Sequence, residues 1–136
     1  MDTKTTFSNP FTVVIVVDDD TAVRNSLKFS LEVEGFAVRA YASGTDLLNS
    51  ANPPDCGCFV VDQILPGMTG LDLIAKLRER RILTPAILIT SHPSAAVIDR
   101  AKQAHVRIIE KPLLNNTLIE GIRAACSQTH PNPENN

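Results

Sequence analysis

From Thr12 to Val17 the chain reads TVVIVV, a β-branched run in which polar and apolar residues do not alternate. A strand with one wet face alternates. A strand covered on both faces does not, and such strands belong to parallel sheets with helices packed above and below. The run ends in three consecutive aspartates, Asp18, Asp19 and Asp20. Adjacent carboxylates raise one another's pKa and destabilise a fold unless positive charge lies among them. The chain must supply a counter-charge or recruit one.

The same unit recurs along the sequence. Asp20 or Thr21 caps a helix with Val23, Leu27 and Leu31 at four-residue steps, and Gly35 stops it. Phe36–Tyr41 is a second strand and Ser43–Ser50 a short helix opened by Ser43. Asn52–Asp55 is a break. Cys58–Val61 is a third strand ended by Asp62, followed by Pro66-Gly67 and a helix from Gly70 to about Arg80. Ala86–Ile89, ended by Thr90 and Ser91, precedes a helix over Ser94–Ala104. Val106–Ile109, ended by Glu110 and Lys111, precedes a helix over Asn116–Gln128. Five strand–helix pairs predict an α/β fold: a flavodoxin-like, doubly wound five-stranded parallel sheet of order 2-1-3-4-5. The expected layout is an N-terminal extension over 1–10, one domain over 11–128, and a frayed tail or cut linker over 129–136.

At 136 residues a single domain with a core of its own is expected. Aromatics make up 4% and tryptophan is absent, so aliphatic side chains must fill that core. The net charge of −2, from 13 basic and 15 acidic residues, argues against a nucleic-acid surface. No apolar run reaches the ~18 residues of a membrane span, and the N-terminus lacks a signal peptide's apolar middle. Three cysteines, two of them at Cys56 and Cys58, suggest reduced thiols in a cytoplasmic protein.

In an open α/β sheet, ligands bind beyond the carboxyl ends of the strands, near the point where strand order reverses. Asp18 and Asp19 should therefore meet Asp62, Thr90 and Lys111 in one cleft. Clustered oxygens suit a hard divalent cation such as Mg²⁺, with Lys111 as a second positive charge. The ordered set VVDDD, VVDQILPGMTG, ILITS and IIEKP resembles the receiver domain of two-component response regulators, over about residues 11–128. The resemblance implies that Asp62 accepts a phosphoryl group from a phosphohistidine on a sensor histidine kinase or phosphotransfer protein. It also implies that Mg²⁺ is held by Asp18, Asp19, Asp62 and the Ile64 carbonyl, with Asp18 acting largely through a metal-bound water. Thr90 and Lys111 would steady the phosphoryl oxygens. Switching would act on the face of the fourth helix, fifth strand and fifth helix, and so on an output domain or a second copy. Such a protein is a phosphoacceptor that assists its own modification, not an enzyme, and binds neither nucleic acid nor membrane through this domain.

Three departures from the family's pattern stand out. Ile108 occupies the place of an aromatic three residues before the lysine, so no ring is present to swing inward. His105 stands where a glycine is expected. The segment from Thr90 to Lys111 is about one residue short. The phosphorylation chemistry is thus expected intact and the transmission non-standard. Pro112 matches a family proline that commonly follows a cis bond. Asp20 reads as a helix cap or solvated charge, Arg78, Arg80 and Arg81 as cations closing a helix, and the cysteines as structural thiols. His92 lies near enough to the cleft to influence it.

Other classes fit less well. A haloacid dehalogenase-type phosphatase needs a second Asp two positions after the nucleophile, usually followed by Gly-Thr, and DDDTAV lacks that glycine. A flavodoxin-like ligand module needs a hydroxyl- and glycine-rich phosphate loop where DDD stands. A pseudo-receiver, acting as a phosphorylation-independent interaction module, is the milder alternative that Ile108 suggests.

Overall fold

The computed structural model describes residues 12–50, 57–113 and 116–129. The elements are β1 (Val13–Val17), α1 (Thr21–Val33), β2 (Ala37–Tyr41), α2 (Gly44–Asn49), β3 (Cys58–Asp62), α3 (Gly70–Glu79), β4 (Ala86–Thr90), α4 (Ala95–Gln103), β5 (Arg107–Glu110) and α5 (Thr117–Thr129). The five strands are parallel and ordered β2-β1-β3-β4-β5, the doubly wound order expected from the sequence. The break at 52–55, Cys56, His130 and the terminal segments 1–11 and 130–136 lie outside the described residues.

Alternate residues of each buried strand face opposite layers. Ile15, Val17, Phe59, Val61 and Leu88 pack with Leu47 of α2, Leu73, Ile74 and Leu77 of α3 and Ala101 of α4. Val14, Val16, Val60, Ile87 and Ile89 pack with Leu27 and Leu31 of α1 and Leu118 and Ile122 of α5. Both faces are covered, which is why TVVIVV carries no alternation. The apolar burial is the main force holding the sheet, at roughly 1.5–3 kcal/mol for each fully buried aliphatic side chain.

Three strands, β3, β4 and β5, end one residue later than the sequence suggested. Asp62 is the last residue of β3, paired with Ile89, and Thr90 is the last of β4, paired with Glu110. Both site residues are therefore held by the sheet ladder rather than by a loop. A two-rung antiparallel ladder, Ile64–Leu65 with Met68–Thr69, was not anticipated. It closes around Pro66-Gly67, with Gly67 at φ 76°.

The helix starts follow the side chains available. Asp20 caps α1, its Oδ1 accepting from the Ala22 and Val23 amides at 2.9 and 3.2 Å. Ser43 and Ser94 cap α2 and α4. Thr69 and Asp72 form a reciprocal capping box on α3. Arg100 of α4 donates to Asp72 at 3.0 Å, and this bond, with those to Thr69, holds the Asp72 carboxyl below the usual range.

Among the described residues, three helices end in the same left-handed turn, and one of the three uses glycine. After α1, the Gly35 and Phe36 amides reach back to Glu32 and Leu31. After α3, Arg81 and Ile82 reach Arg78 and Leu77; after α4, His105 and Val106 reach Lys102 and Ala101. Each is a paired 5→2 and 6→1 closure with an apolar residue folding back. The turn residues have φ of 99° at Gly35, 65° at Arg81 and 59° at His105. His105 therefore takes the left-handed position itself, at a cost of about 1–2 kcal/mol. Replacing His105→Gly should raise the stability of the protein by up to about 1 kcal/mol in urea denaturation, since the relief exceeds glycine's extra freedom in the unfolded chain. His105→Ala, which keeps a Cβ, should show no such gain.

Candidate functional site

The three aspartates after β1 have three different fates. Asp18 is 2% exposed. Its N–H donates to the Tyr41 carbonyl at 3.1 Å, and its Oδ1 accepts from the Asp20 amide at 2.9 Å. Its carbonyl accepts from the Arg24 guanidinium at 2.8 Å, while Arg24 also donates to Thr21 Oγ1 at 3.2 Å. Asp19 is exposed and Asp20 is committed to capping α1. Two carboxylates, not three, are left to face the cleft.

Asp62 joins them from the end of β3, 6% exposed. One oxygen each from Asp18, Asp19 and Asp62 lie within 4.8 Å of one another. These three residues would be the ones to hold a divalent cation, directly or through a bound water. The donor set is all oxygen and acidic, the chemistry of a hard cation. Lys111 Nζ stands 3.3 Å from both carboxylate oxygens of Asp62. Burial pushes the Asp18 carboxyl above the usual range. The amide bond from Asp20 and the Lys111 ammonium pull it back, and the charges of Asp62 and Asp19 push it further up.

Backbone ties bring the remaining residues to the same edge. The Lys111 amide donates to the Thr90 carbonyl at 2.9 Å, which seats the lysine beside β4. Thr90 is 5% exposed, and its hydroxyl makes a long 3.5 Å bond to the Ser91 carbonyl. The Lys111–Pro112 bond is cis. Ile64 lies two residues after Asp62, its amide donating to Asp62 Oδ1 at 3.5 Å and its side chain 71% exposed. His92 is exposed at φ 47°. Arg78 does more than face a helix end: its guanidinium donates to the Ile82 and Thr84 carbonyls, both at 2.8 Å. Arg80 reaches the Leu48 carbonyl at 2.7 Å. Cys58 is buried in β3, its Sγ 3.5 Å from the Phe59 carbonyl, and the half-buried Cys126 donates to the Gly57 carbonyl at 3.5 Å.

Three contributors were missed from the sequence. Arg24 fixes the acidic loop from α1. Gln63, 7% exposed, accepts the Leu71 amide on its Oε1 at 3.0 Å. Gly70 lets α3 approach β3: a Cβ there would lie 2.5 Å from the Asp62 carbonyl oxygen. The available signal for Gln63 was a polar residue at the end of an apolar strand.

Five residues from four strand ends, set in a five-stranded doubly wound sheet with an acidic trio and one lysine, define a receiver. The sequence pattern of the response regulator receiver domain matches residues 14–123, and the chain belongs to that family of two-component systems. It is 35% identical to the transcriptional regulatory protein FixJ of Azorhizobium caulinodans over 117 residues, 85% of this chain and 56% of that protein. It is 33% identical to the response regulator protein TodT of Pseudomonas putida over 119 residues, 87% of this chain and 52% of that one. The chain thus spans a little over half the length of these relatives. Among solved structures, the crystal structure of FixJ-N superposes with a TM-score of 0.76 at 33% identity, over 89% of this chain and 97% of that one. A CheY-like receiver domain protein from Methanospirillum hungatei gives 0.80 at 28% identity, over 87% and 95%. Among the described residues, no helix is long and apolar enough to cross a membrane.

Two outcomes follow from this geometry. Gly70→Ala should destabilise the fold by about 1–3 kcal/mol in chemical denaturation, because backbone rather than a flexible side chain meets the new methyl. Asp18 has a raised pKa in the fold, so ionising it costs stability as pH rises above the ordinary carboxylate range. Asp18→Asn keeps the oxygen that accepts from Asp20, and should raise the denaturation midpoint in EDTA at neutral pH while abolishing any further rise on adding MgCl₂.

Proposed function

We propose that this chain is the phosphoacceptor module of a two-component signalling pathway, and that Asp62 carries the phosphoryl group. A single observation supports this best: a nearly buried carboxylate at a strand end, with an ammonium at 3.3 Å on one side and two further carboxylates within 4.8 Å on the other. A structural ion pair has no use for the additional acids, which repel it. A site that holds a cation and receives a phosphoryl group needs them.

Asp62 attacks the phosphorus of a phosphohistidine on a sensor kinase or phosphotransfer protein. A bond forms from its carboxylate oxygen to phosphorus as the P–N bond breaks, and the imidazole keeps the electron pair. Phosphoryl transfer of this kind asks the protein for position and charge neutralisation rather than covalent help. Lys111 neutralises the oxygens nearest Asp62. Thr90, at the end of the neighbouring strand, offers its hydroxyl to another phosphoryl oxygen by giving up the long bond to Ser91. Mg²⁺ held by Asp18, Asp19, Asp62 and the Ile64 carbonyl would supply the remaining positive charge. The chain modifies itself and turns over no separate substrate.

The altered surface is the one formed by α4, β5 and α5. A groove of about 480 Å³ lies there, lined by Pro93, Ile98, Ile108 and Thr117 among others. An output domain or a second copy docking on this face would read the state of Asp62. Ile108 is half-buried and packed with Val97 against the core, so the read-out relies on backbone shifts after Thr90 rather than on a turning ring.

Incubation with acetyl phosphate and MgCl₂ should add one phosphoryl group by mass spectrometry, and Asp62→Asn should abolish it. Equal labelling of the Asn variant removes Asp62 as acceptor. A wild type that neither gains mass nor responds to Mg²⁺ is a pseudo-receiver.

A further inference from the structure

We propose that Gln63 is a positioning residue for phosphoryl transfer, a clamp that sets the direction of the Asp62 carboxylate. The inference rests on Asp62 being the acceptor. Asp62 is the last residue of β3, and beyond it the chain leaves the sheet for the Ile64–Thr69 hairpin. A strand end with nothing beyond it frays, and its final side chain then samples several directions.

Gln63 prevents this with three hydrogen bonds to two different elements. Its amide donates to the Ile89 carbonyl of β4 at 2.9 Å. Its carbonyl accepts from the Gly70 amide at 2.9 Å, and its side-chain Oε1 from the Leu71 amide at 3.0 Å. Gly70 and Leu71 open α3, so both bonds engage amides that have no partner within the helix. Thr69 takes the next one, on Asp72, at 3.1 Å. The peptide joining Asp62 to Gln63 is held between the end of β4 and the start of α3. Gly70 adds a steric wall, because its backbone lies against the Asp62 carbonyl.

The consequence for the reaction is orientation. Asp62 must present one oxygen in line with the phosphorus while the other stays near Lys111 and the acidic pair. A side chain that only caps α3 would affect stability alone. A clamp on the acceptor affects the rate at saturating donor, and leaves donor affinity, set by Lys111 and the cation site, nearly unchanged. Misplacement of about 1 Å costs on the order of a hundredfold in rate. Loss of one of three ties should cost less, about three- to thirtyfold.

The test compares the wild type, Asp62→Asn and Gln63→Met with acetyl phosphate over a range of concentrations in excess MgCl₂. Methionine keeps the length of glutamine and removes the acceptor. The expected result is a maximal labelling rate lowered about three- to thirtyfold, with the half-saturating donor concentration changed by less than about twofold. Amide exchange of Leu71 should also accelerate at least about tenfold, while amides of β1 remain protected. Gln63→Met labelling as fast as the wild type overturns the clamp alone. So does a Leu71 amide that already exchanges at the unprotected rate in the wild type, which decides the matter even if the variant does not fold. A wild type that never labels removes the acceptor reading and the clamp's role with it.

Discussion

The structure is organised around one electrostatic problem, the gathering of carboxylates at the end of a buried sheet. Asp18 and Asp62 are both almost wholly covered, and Asp19 stands beside them. Like charges so placed oppose folding unless each has a compensating partner. Lys111 answers Asp62, and backbone and guanidinium donors hold the Asp18 loop in place. The residual excess of negative charge is of the kind that suits a hard cation.

That problem also explains the local architecture. Asp62 and Thr90 remain inside the sheet ladder, and Lys111 is tied to Thr90 through the backbone. Groups that must approach one another against repulsion are best carried on rigid strands, because flexible loops would let them drift apart. Gly70 permits a helix to press directly on the peptide of Asp62, and no other residue type fits there without displacing backbone.

Much of this was legible in the sequence. The unalternating strands gave the parallel sheet, and the polar residues ending them gave Asp18, Asp19, Asp62, Thr90 and Lys111 as one group. The parts that stayed hidden did so for separate reasons. Gly35 marks a helix end because glycine is the usual occupant of a left-handed turn, whereas Arg81 and His105 adopt that turn against their own preference under tertiary packing. The Ile64–Thr69 hairpin is too short to leave a periodic signal. Arg24 and Gln63 act through backbone groups, and a bond to backbone leaves no complementary residue elsewhere in the chain to reveal it.

Asp20 has a consequence beyond holding α1. With a divalent ion bound, Asp18, Asp19 and Asp62 balance that ion plus the Lys111 ammonium, and the site is formally neutral. Had the third aspartate turned inward as well, the cleft would carry a standing surplus of negative charge and would repel an incoming dianion. By committing its carboxylate to helix amides, the chain keeps an acidic stretch in sequence without adding a fourth acid to the cleft.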